Sequence, residues 1–323
     1  MADQAGRPPG TAPDPEERRT MSNVPELIWH NGKVRSWEEA TIHVTAETAM
    51  RAVNVFEGLR GYRQPDGRLA VVRLGEHLER LETSAALMHI PHPGLAAELR
   101  DGIAQLLAAL APQSDVYVRP SVYVDTGRYT ADRTEMTTGT IVTCFPAPAR
   151  PVEPMRCIVS SRQRIADDAL PTAAKTGAAY SGFRLARLEA LEKGADEAIL
   201  LNQHGNVAET GGAAVFTVRH GRITTPPLTD GILASITRAT VLALAERLGI
   251  PAAEQSLTPG DLHGADEVFV TGTLDEVRIV GQVDGHRPRH GDHPIGSALR
   301  EEYLAMCSGT RPPLDASFLA VIA

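Results

Sequence analysis

Aromatic residues are scarce in this chain of 323 residues, at 4% of the total, so its interior has to be built mainly from Ala, Leu, Val and Ile. No apolar run approaches the roughly 20 residues that a membrane-spanning helix requires. Positive charge is short as well. A formal net charge of -8 argues against nucleic acid or an anionic membrane as partner, since both call for a basic face. Cysteine is nearly absent, and Cys144, Cys157 and Cys307 form an odd set without metal-ligand spacing, which reads as free thiols in a reducing cytoplasm. The 11 histidines are scattered, and neither His89/His92 nor His290/His293 has a plausible set of further ligands, so no metal is expected. Neither a Walker-type loop nor a dinucleotide glycine fingerprint is present. The charged start leads into no apolar stretch of the secretory kind, and a cytoplasmic location is expected.

The rarest resource is lysine. Of 32 basic residues, only Lys33, Lys175 and Lys193 are lysines, and the rest are arginines. Such a bias reflects coding composition, and a lysine that survives it is a candidate for use as an amine.

What is present is the composition of a globular protein, 42% hydrophobic and 22% charged, with length for two ordinary domains or one large one. Residues 1–26, rich in Pro, Gly, Ala and charge, read as a disordered leader, with Met21 as an alternative start. Order begins at Leu27-Ile-Trp29, and Asn31-Gly32 marks a hairpin with Lys33 on its turn. Helical periods run from Gly75 to His89 and from about Leu95 to Ala111, and strands from Val116 to Val124 and Thr140 to Phe145. A first α/β domain over 27–145 then meets Pro146–Pro154, where four prolines in nine residues mark an interdomain linker.

The second domain, 155–323, opens on a strand near Arg156–Ser161. A helix is expected from about Tyr180 to Lys193, with Phe183, Leu188 and Leu191 inward and Gly194 as its stop. Lys193 in that last turn suits the helix dipole. Glu197–Leu201, Val215–Val218 and Glu267–Thr271 read as strands. Ser235 caps a helix to Leu248 that Gly249 ends. Strands mixed with helices give an α/β (α+β) class.

Lys175 lies in Leu170-Pro-Thr-Ala-Ala-Lys175-Thr-Gly-Ala-Ala-Tyr180. Its small neighbours let a bulky group approach the backbone, and no carboxylate stands beside it. If buried, its amine would be made nucleophilic by desolvation; on the local pattern alone an ordinary exposed lysine is the commoner reading.

The stretch Pro171-Thr-Ala-Ala-Lys-Thr-Gly177 belongs to a longer series. Leu27-Ile-Trp-His-Asn-Gly32, Val55-Phe-Glu-Gly-Leu-Arg-Gly-Tyr62, Glu76-His-Leu-Glu-Arg-Leu81 and Tyr117-Val-Arg-Pro120 precede it. Ile236-Thr-Arg238 and Glu267-Val-Phe-Val-Thr-Gly-Thr273 follow. In this order the series resembles the class IV aminotransferases that use pyridoxal 5′-phosphate (PLP), and most of all the bacterial branched-chain enzymes. The resemblance spans about Leu27 to Gly285.

It implies a two-domain, fold type IV architecture with the cofactor in the cleft between domains, and a homodimer or higher homo-oligomer. Lys175 is then the residue that carries PLP as a Schiff base and moves the proton. Glu209 faces the pyridine nitrogen and keeps it protonated, so that the ring draws electrons. Tyr180 meets the ring hydroxyl oxygen. The phosphate falls to Ser235, Ile236 and Thr237 at a helix start, to Thr273 and to Arg80; without the resemblance, Arg80 would read as a surface partner of Glu76. Phe56, Gly58, Tyr117, Arg119, Leu274 and Arg51 face the substrate, with Arg119 accepting an acidic side chain.

Several positions depart from the branched-chain pattern. Met50-Arg51-Ala52 stands where that group has His-Tyr-Gly, and Arg51 either grips a substrate carboxylate or points to solvent. The interdomain segment is short and lacks its aromatic residue. Ala213-Ala214 and Leu274-Asp275 are also unusual. These changes point to transamination between an amino acid and a 2-oxo acid with a specialised substrate. Two alternatives stay open: a lyase of the aminodeoxychorismate lyase type, and a non-catalytic PLP-binding protein.

Overall fold

A computed structural model describes residues 25–127, 132–147 and 153–322; most of the expected leader and the centre of the proline-rich linker lie outside them. Strands β1 (Leu27–His30) and β2 (Lys33–Ser36) pair in the register His30 to Lys33. Asn31 and Gly32 between them both take positive φ, 48° and 83°, as a two-residue hairpin turn demands. The chain continues through α1 (Glu47–Arg51), β3 (Asn54–Phe56), β4 (Leu59–Arg63) and β5 (Leu69–Val72). Helices α2 (Leu74–Leu87) and α3 (Leu95–Leu110) follow, then the long antiparallel pair β6 (Val116–Thr126) and β7 (Thr137–Pro146). The strands form one sheet in the order β5-β4-β6-β7-β1-β2, with β3 also on β6.

The two helices lay their apolar stripes on this sheet. Leu74, Leu78 and Leu81 of α2 and Leu95, Leu99, Ile103 and Leu106 of α3 are all buried against Trp29, Leu59, Val118 and Val142. Gly102 lets α3 press against the indole of Trp29, where a Cβ would stand 2.7 Å from ring atoms.

A second sheet starts at β8 (Met155–Gln163). After α4 (Gly177–Glu192) come β9 (Glu197–Leu201), β10 (Val207–Thr210), β11 (Ala214–Arg219) and β12 (Arg222–Thr225). Then follow α5 (Ile236–Arg247), β13 (Ala252–Glu254), α6 (Pro259–His263), β14 (Glu267–Gly272), β15 (Glu276–Val283) and α7 (Pro294–Cys307). Its strand order is β10-β9-β8-β15-β14-β11-β12-β13. Val241, Leu244, Leu299 and Met306 from α5 and α7 bury the stacked pair Phe216 and Phe269.

Two expectations need correction. The C-terminal strand β16 (Leu319–Val321) pairs with β5 and so joins the first sheet, although it follows the second in sequence. Helix α4 begins at Gly177, because Thr176 caps it by accepting the N–H of Ala178, and it buries a face of Ala179, Phe183, Ala186 and Ala190. Leu188 and Leu191, expected inward, are 37% and 51% exposed. Alanines let this helix lie close to β8 and β9, and the leucines take the far side.

Candidate active site

The segment bearing Lys175 is stitched to the first sheet by its backbone. Its carbonyl accepts from the N–H of Phe56 at 3.1 Å, and its own N–H donates to Ser84 Oγ at 3.0 Å. Thr176 Oγ1 donates to the carbonyl of Asn54 at 2.8 Å. The lysine is therefore held where the two halves of the chain meet. Its Nζ lies 2.8 Å from the hydroxyl of Tyr180, one turn into α4, and 5.2 Å from the ring centre of Phe56.

Glu209 sits on β10 among apolar neighbours and is buried. Its carboxylate accepts the Nε–H of Arg164 at 2.7 Å and the N–H of Leu233 at 3.3 Å. Arg164, just beyond β8, is itself buried, and sequence reasoning passed over it. The available signal was indirect: a carboxylate in a strand as apolar as Val207–Thr210 requires a cation from elsewhere in the fold.

Opposite these groups, Ser235 Oγ accepts the N–H of Arg238 and caps α5, which leaves Ile236 and Thr237 in a first turn whose N–H groups have no intrahelical partner. Thr273 follows β14 and donates its hydroxyl to the carbonyl of Gly58 at 3.0 Å. Arg80 reaches across from α2. Its Nε and Nη2 donate to Glu57 at 2.6 and 2.8 Å, and its Nη1 donates to the carbonyl of Ala234 at 2.6 Å. The expected alternative partner, Glu76, pairs with Arg73 instead.

Glu57 and His77 are further residues that sequence reasoning did not single out. Burial opposes ionisation of Glu57, yet Arg80 and His77 hold its carboxyl far below the usual range. Burial keeps the His77 imidazole below its ordinary value, despite that carboxylate.

Lys175, Tyr180, Glu209, Ser235, Ile236, Thr237, Thr273 and Arg80 thus line one cleft. Phe56, Gly58, Tyr117 and Arg119 adjoin it. The Arg119 guanidinium lies 3.8 Å over the Phe56 ring, and that ring meets Tyr180 edge-on at 4.9 Å. Gly58 is necessary here, since a Cβ would fall 2.6 Å from the Tyr117 hydroxyl oxygen. Burial pushes that hydroxyl up to about 12, so it stays protonated.

Arg51 and Leu274 are not among the residues lining the cleft. Arg51 closes an i,i+4 ion pair on Glu47 at 2.8 Å and is half exposed, so a role beside the reacting centre gains no support from its position. Leu274 lies in the turn between β14 and β15. Among the described residues no cluster of His, Cys, Asp or Glu has a geometry that could hold a metal ion, and no helix is long and apolar enough to cross a membrane.

Residues 54–283, most of the chain, match the family model of amino-transferase class IV. The chain belongs to that family. It is 34% identical over 291 residues to the branched-chain-amino-acid aminotransferase of Salmonella typhimurium, covering 88% of this chain and 94% of that protein. The branched-chain aminotransferase of Thermoproteus uzoniensis, solved with norvaline, superposes with a TM-score of 0.87 at 33% identity, over 93% of this chain and all of the other. That of Thermobaculum terrenum, solved in its PLP form, gives 0.86 at 34% identity over 93% and 99%. The expected fold type IV class is therefore the one this class IV aminotransferase adopts.

The donor set suits PLP on its own chemistry. An amine, a carboxylate paired with a buried cation, a hydroxyl at the amine, and a helix start flanked by Arg80 match an aldehyde, a ring nitrogen, a ring hydroxyl and a phosphate in turn. In addition, Nη1 of Arg164 is buried without a hydrogen-bond partner among the described residues.

Proposed function

We propose that this class IV aminotransferase carries PLP on Lys175 and moves an amino group from an amino acid to a 2-oxo acid. The observation that carries the reading is the pairing of Lys175 Nζ with the Tyr180 hydroxyl, in one cleft with the Arg164–Glu209 ion pair. PLP bound there supplies an electron sink for the electrons of the substrate Cα–H bond.

The chain's own groups do the rest. Lys175 Nζ is the amine lining the cleft, and it is the group that would take the Cα proton and later return it. Tyr180 holds that amine in place and shares a proton with it. Glu209, paired with Arg164, would hold a proton on the ring nitrogen. Ser235, Ile236, Thr237, Thr273 and Arg80 bind the phosphate, which anchors the ring while the substrate turns over.

For the substrate, Phe56 and Tyr180 offer apolar faces, and Arg119 offers a guanidinium that pairs with no carboxylate among the described residues. We infer an aliphatic amino acid of the branched-chain class as one substrate and a dicarboxylic acid as the other, in line with the names of the relatives. A more specialised substrate now rests on Leu274-Asp275 and the short interdomain segment, since Arg51 pairs within its own helix. A homodimer remains part of the proposal; Leu185, Leu188 and Leu191, exposed on one side of α4, support a covered face there.

The test is transfer of labelled nitrogen from leucine to 2-oxoglutarate by the holoenzyme, with Lys175→Ala alongside. Label in glutamate, lost together with the visible absorbance band in the variant, supports the proposal. Release of an oxo acid with no label in the acceptor would favour the lyase reading. Absence of a band in the wild type supplied with PLP would overturn the proposal altogether.

A further inference from the structure

In a chain with so few aromatic residues, three form an unbroken file that starts beside the cleft at Phe56 and joins its wall at Tyr180 and Phe183. The Arg119 guanidinium covers Phe56 at 3.8 Å, Phe56 meets Tyr180 at 4.9 Å, and Tyr180 meets Phe183 edge-on at 5.2 Å. Phe183 in turn lies under the Arg164 guanidinium at 5.0 Å. Gly211 permits this approach, since a Cβ there would stand 3.2 Å from Phe183 Cβ. The file thus ends at the cation that binds Glu209. Arg164 is fixed from three sides: Glu209 at 2.7 Å, the Thr172 carbonyl at 3.5 Å, and the Phe183 ring.

A buried ion pair of this kind costs desolvation and is poor evidence of stability alone. Its place in the cleft gives it another use. We propose that Arg164, seated on Phe183, is a positioning residue that holds the Glu209 carboxylate in an ion pair and aims it at the cofactor's ring nitrogen. The proposal rests on the assignment of Lys175 and Glu209 to PLP made above.

Two effects follow from one guanidinium. Its charge supplies the partner that a carboxylate buried on β10 requires. Its fixed plane holds one carboxylate oxygen through Nε and leaves the carboxylate turned as Leu233 N–H also requires. The other charged groups around the amine are Glu57 and Arg80 from the first half of the chain, with His77 and Tyr180 as the remaining titratable neighbours.

The sign of the electrostatic effect is definite. Arg164 adds positive charge to the cleft that Lys175 lines, so its removal would make the proton on a Lys175–cofactor linkage easier to keep. If Glu209 instead turns neutral and the ring loses its proton, the linkage again holds its own proton more tightly. Each route raises the pH midpoint at which the visible band titrates.

The experiment compares the wild-type holoenzyme with Arg164→Met and Arg164→Lys. The readouts are the pH midpoint of the visible band and the rate of PLP loss on dilution. In Arg164→Met the midpoint should rise by about one unit or more, and PLP should leave at least several-fold faster. Arg164→Lys restores charge but cannot donate to Glu209 and Thr172 together, so its midpoint should stay near the wild type while PLP still leaves faster.

Midpoint and PLP loss both unchanged in Arg164→Met would overturn the proposal and leave Arg164 a residue of the fold only. If Arg164→Met does not fold, a Lys variant with a wild-type rate of PLP loss would overturn the aiming role just as well. Absence of the band in the wild type is the separate failure of the PLP assignment itself.

Discussion

Glu57→Gln is the sharpest test of how the two halves of the chain are joined at the cleft. The side chain of Glu57 is fully buried, and its two oxygens accept three hydrogen bonds: Arg80 Nε at 2.6 Å, Arg80 Nη2 at 2.8 Å and His77 Nδ1 at 2.7 Å. Glutamine keeps the volume but loses the charge. Whichever way its amide turns, an NH2 group faces a donor. Breaking one partner of a buried pair costs about 3–5 kcal/mol. The lower end applies, because Arg80 is 13% exposed and keeps a second anchor on the Ala234 carbonyl. About 3 kcal/mol lowers Tm of a chain this size by roughly 5–10 °C.

The same carboxyl gives the loss a pH signature. Its folded pKa is depressed, so its stabilisation is complete above the ordinary carboxylate range and fades as pH falls through that range toward the folded value. By pH 4 the gap between wild type and variant should have narrowed by somewhat under about 1 kcal/mol, since the unfolded wild-type chain takes up a proton that glutamine cannot. His77 is also depressed, so both forms lose stability as pH falls through the ordinary imidazole range and the unfolded imidazole charges. Urea unfolding of the cofactor-free protein at pH 7, 5 and 4 measures this. A gap below about 1 kcal/mol at pH 7, or one that fails to shrink between pH 5 and pH 4, would refute the buried-pair account.

Arg119→Leu should raise KM for a dicarboxylic substrate about tenfold or more, the worth of a charge-assisted hydrogen bond, while KM for an aliphatic amino acid changes little; equal effects on both would remove Arg119 from side-chain recognition. Tyr180→Phe takes away the hydroxyl 2.8 Å from Lys175 Nζ and should lower kcat about tenfold or more with PLP still bound, as seen in single-turnover kinetics. Gly102→Ala gains up to about 1 kcal/mol in helix propensity but drives a methyl into the buried Trp29 ring, so a net loss of about 1–3 kcal/mol is expected from thermal unfolding.

Where the sequence was legible, the cause was local. Asn31-Gly32 admits left-handed backbone, Ser235 can cap only a helix that starts after it, and the leucine period from Leu74 to Leu81 buries one face. Helix α4 was misread because residue size is a poor guide to burial in a core rich in alanine. Ala179, Ala186 and Ala190 bring α4 close to its strands, while Leu188 and Leu191 stay outside. Strand β16 has three residues and pairs with a partner some 250 positions earlier, a separation that carries no local signature.

The site divides along the same line, and lysine and arginine show why. With three lysines in the chain, two of them in ordinary settings, Lys175 stood out before any coordinate was known. Arginine supplies every other basic residue, so Arg164 had nothing to mark it among so many. Its meaning lies in a carboxylate 45 positions away, as that of Arg80 lies in Glu57, 23 positions away. The groups assigned to the chemistry are rare residue types in small-residue loops, and a single sequence exposes them. The groups that aim them are common residues made specific by burial, and burial is a property of the folded chain.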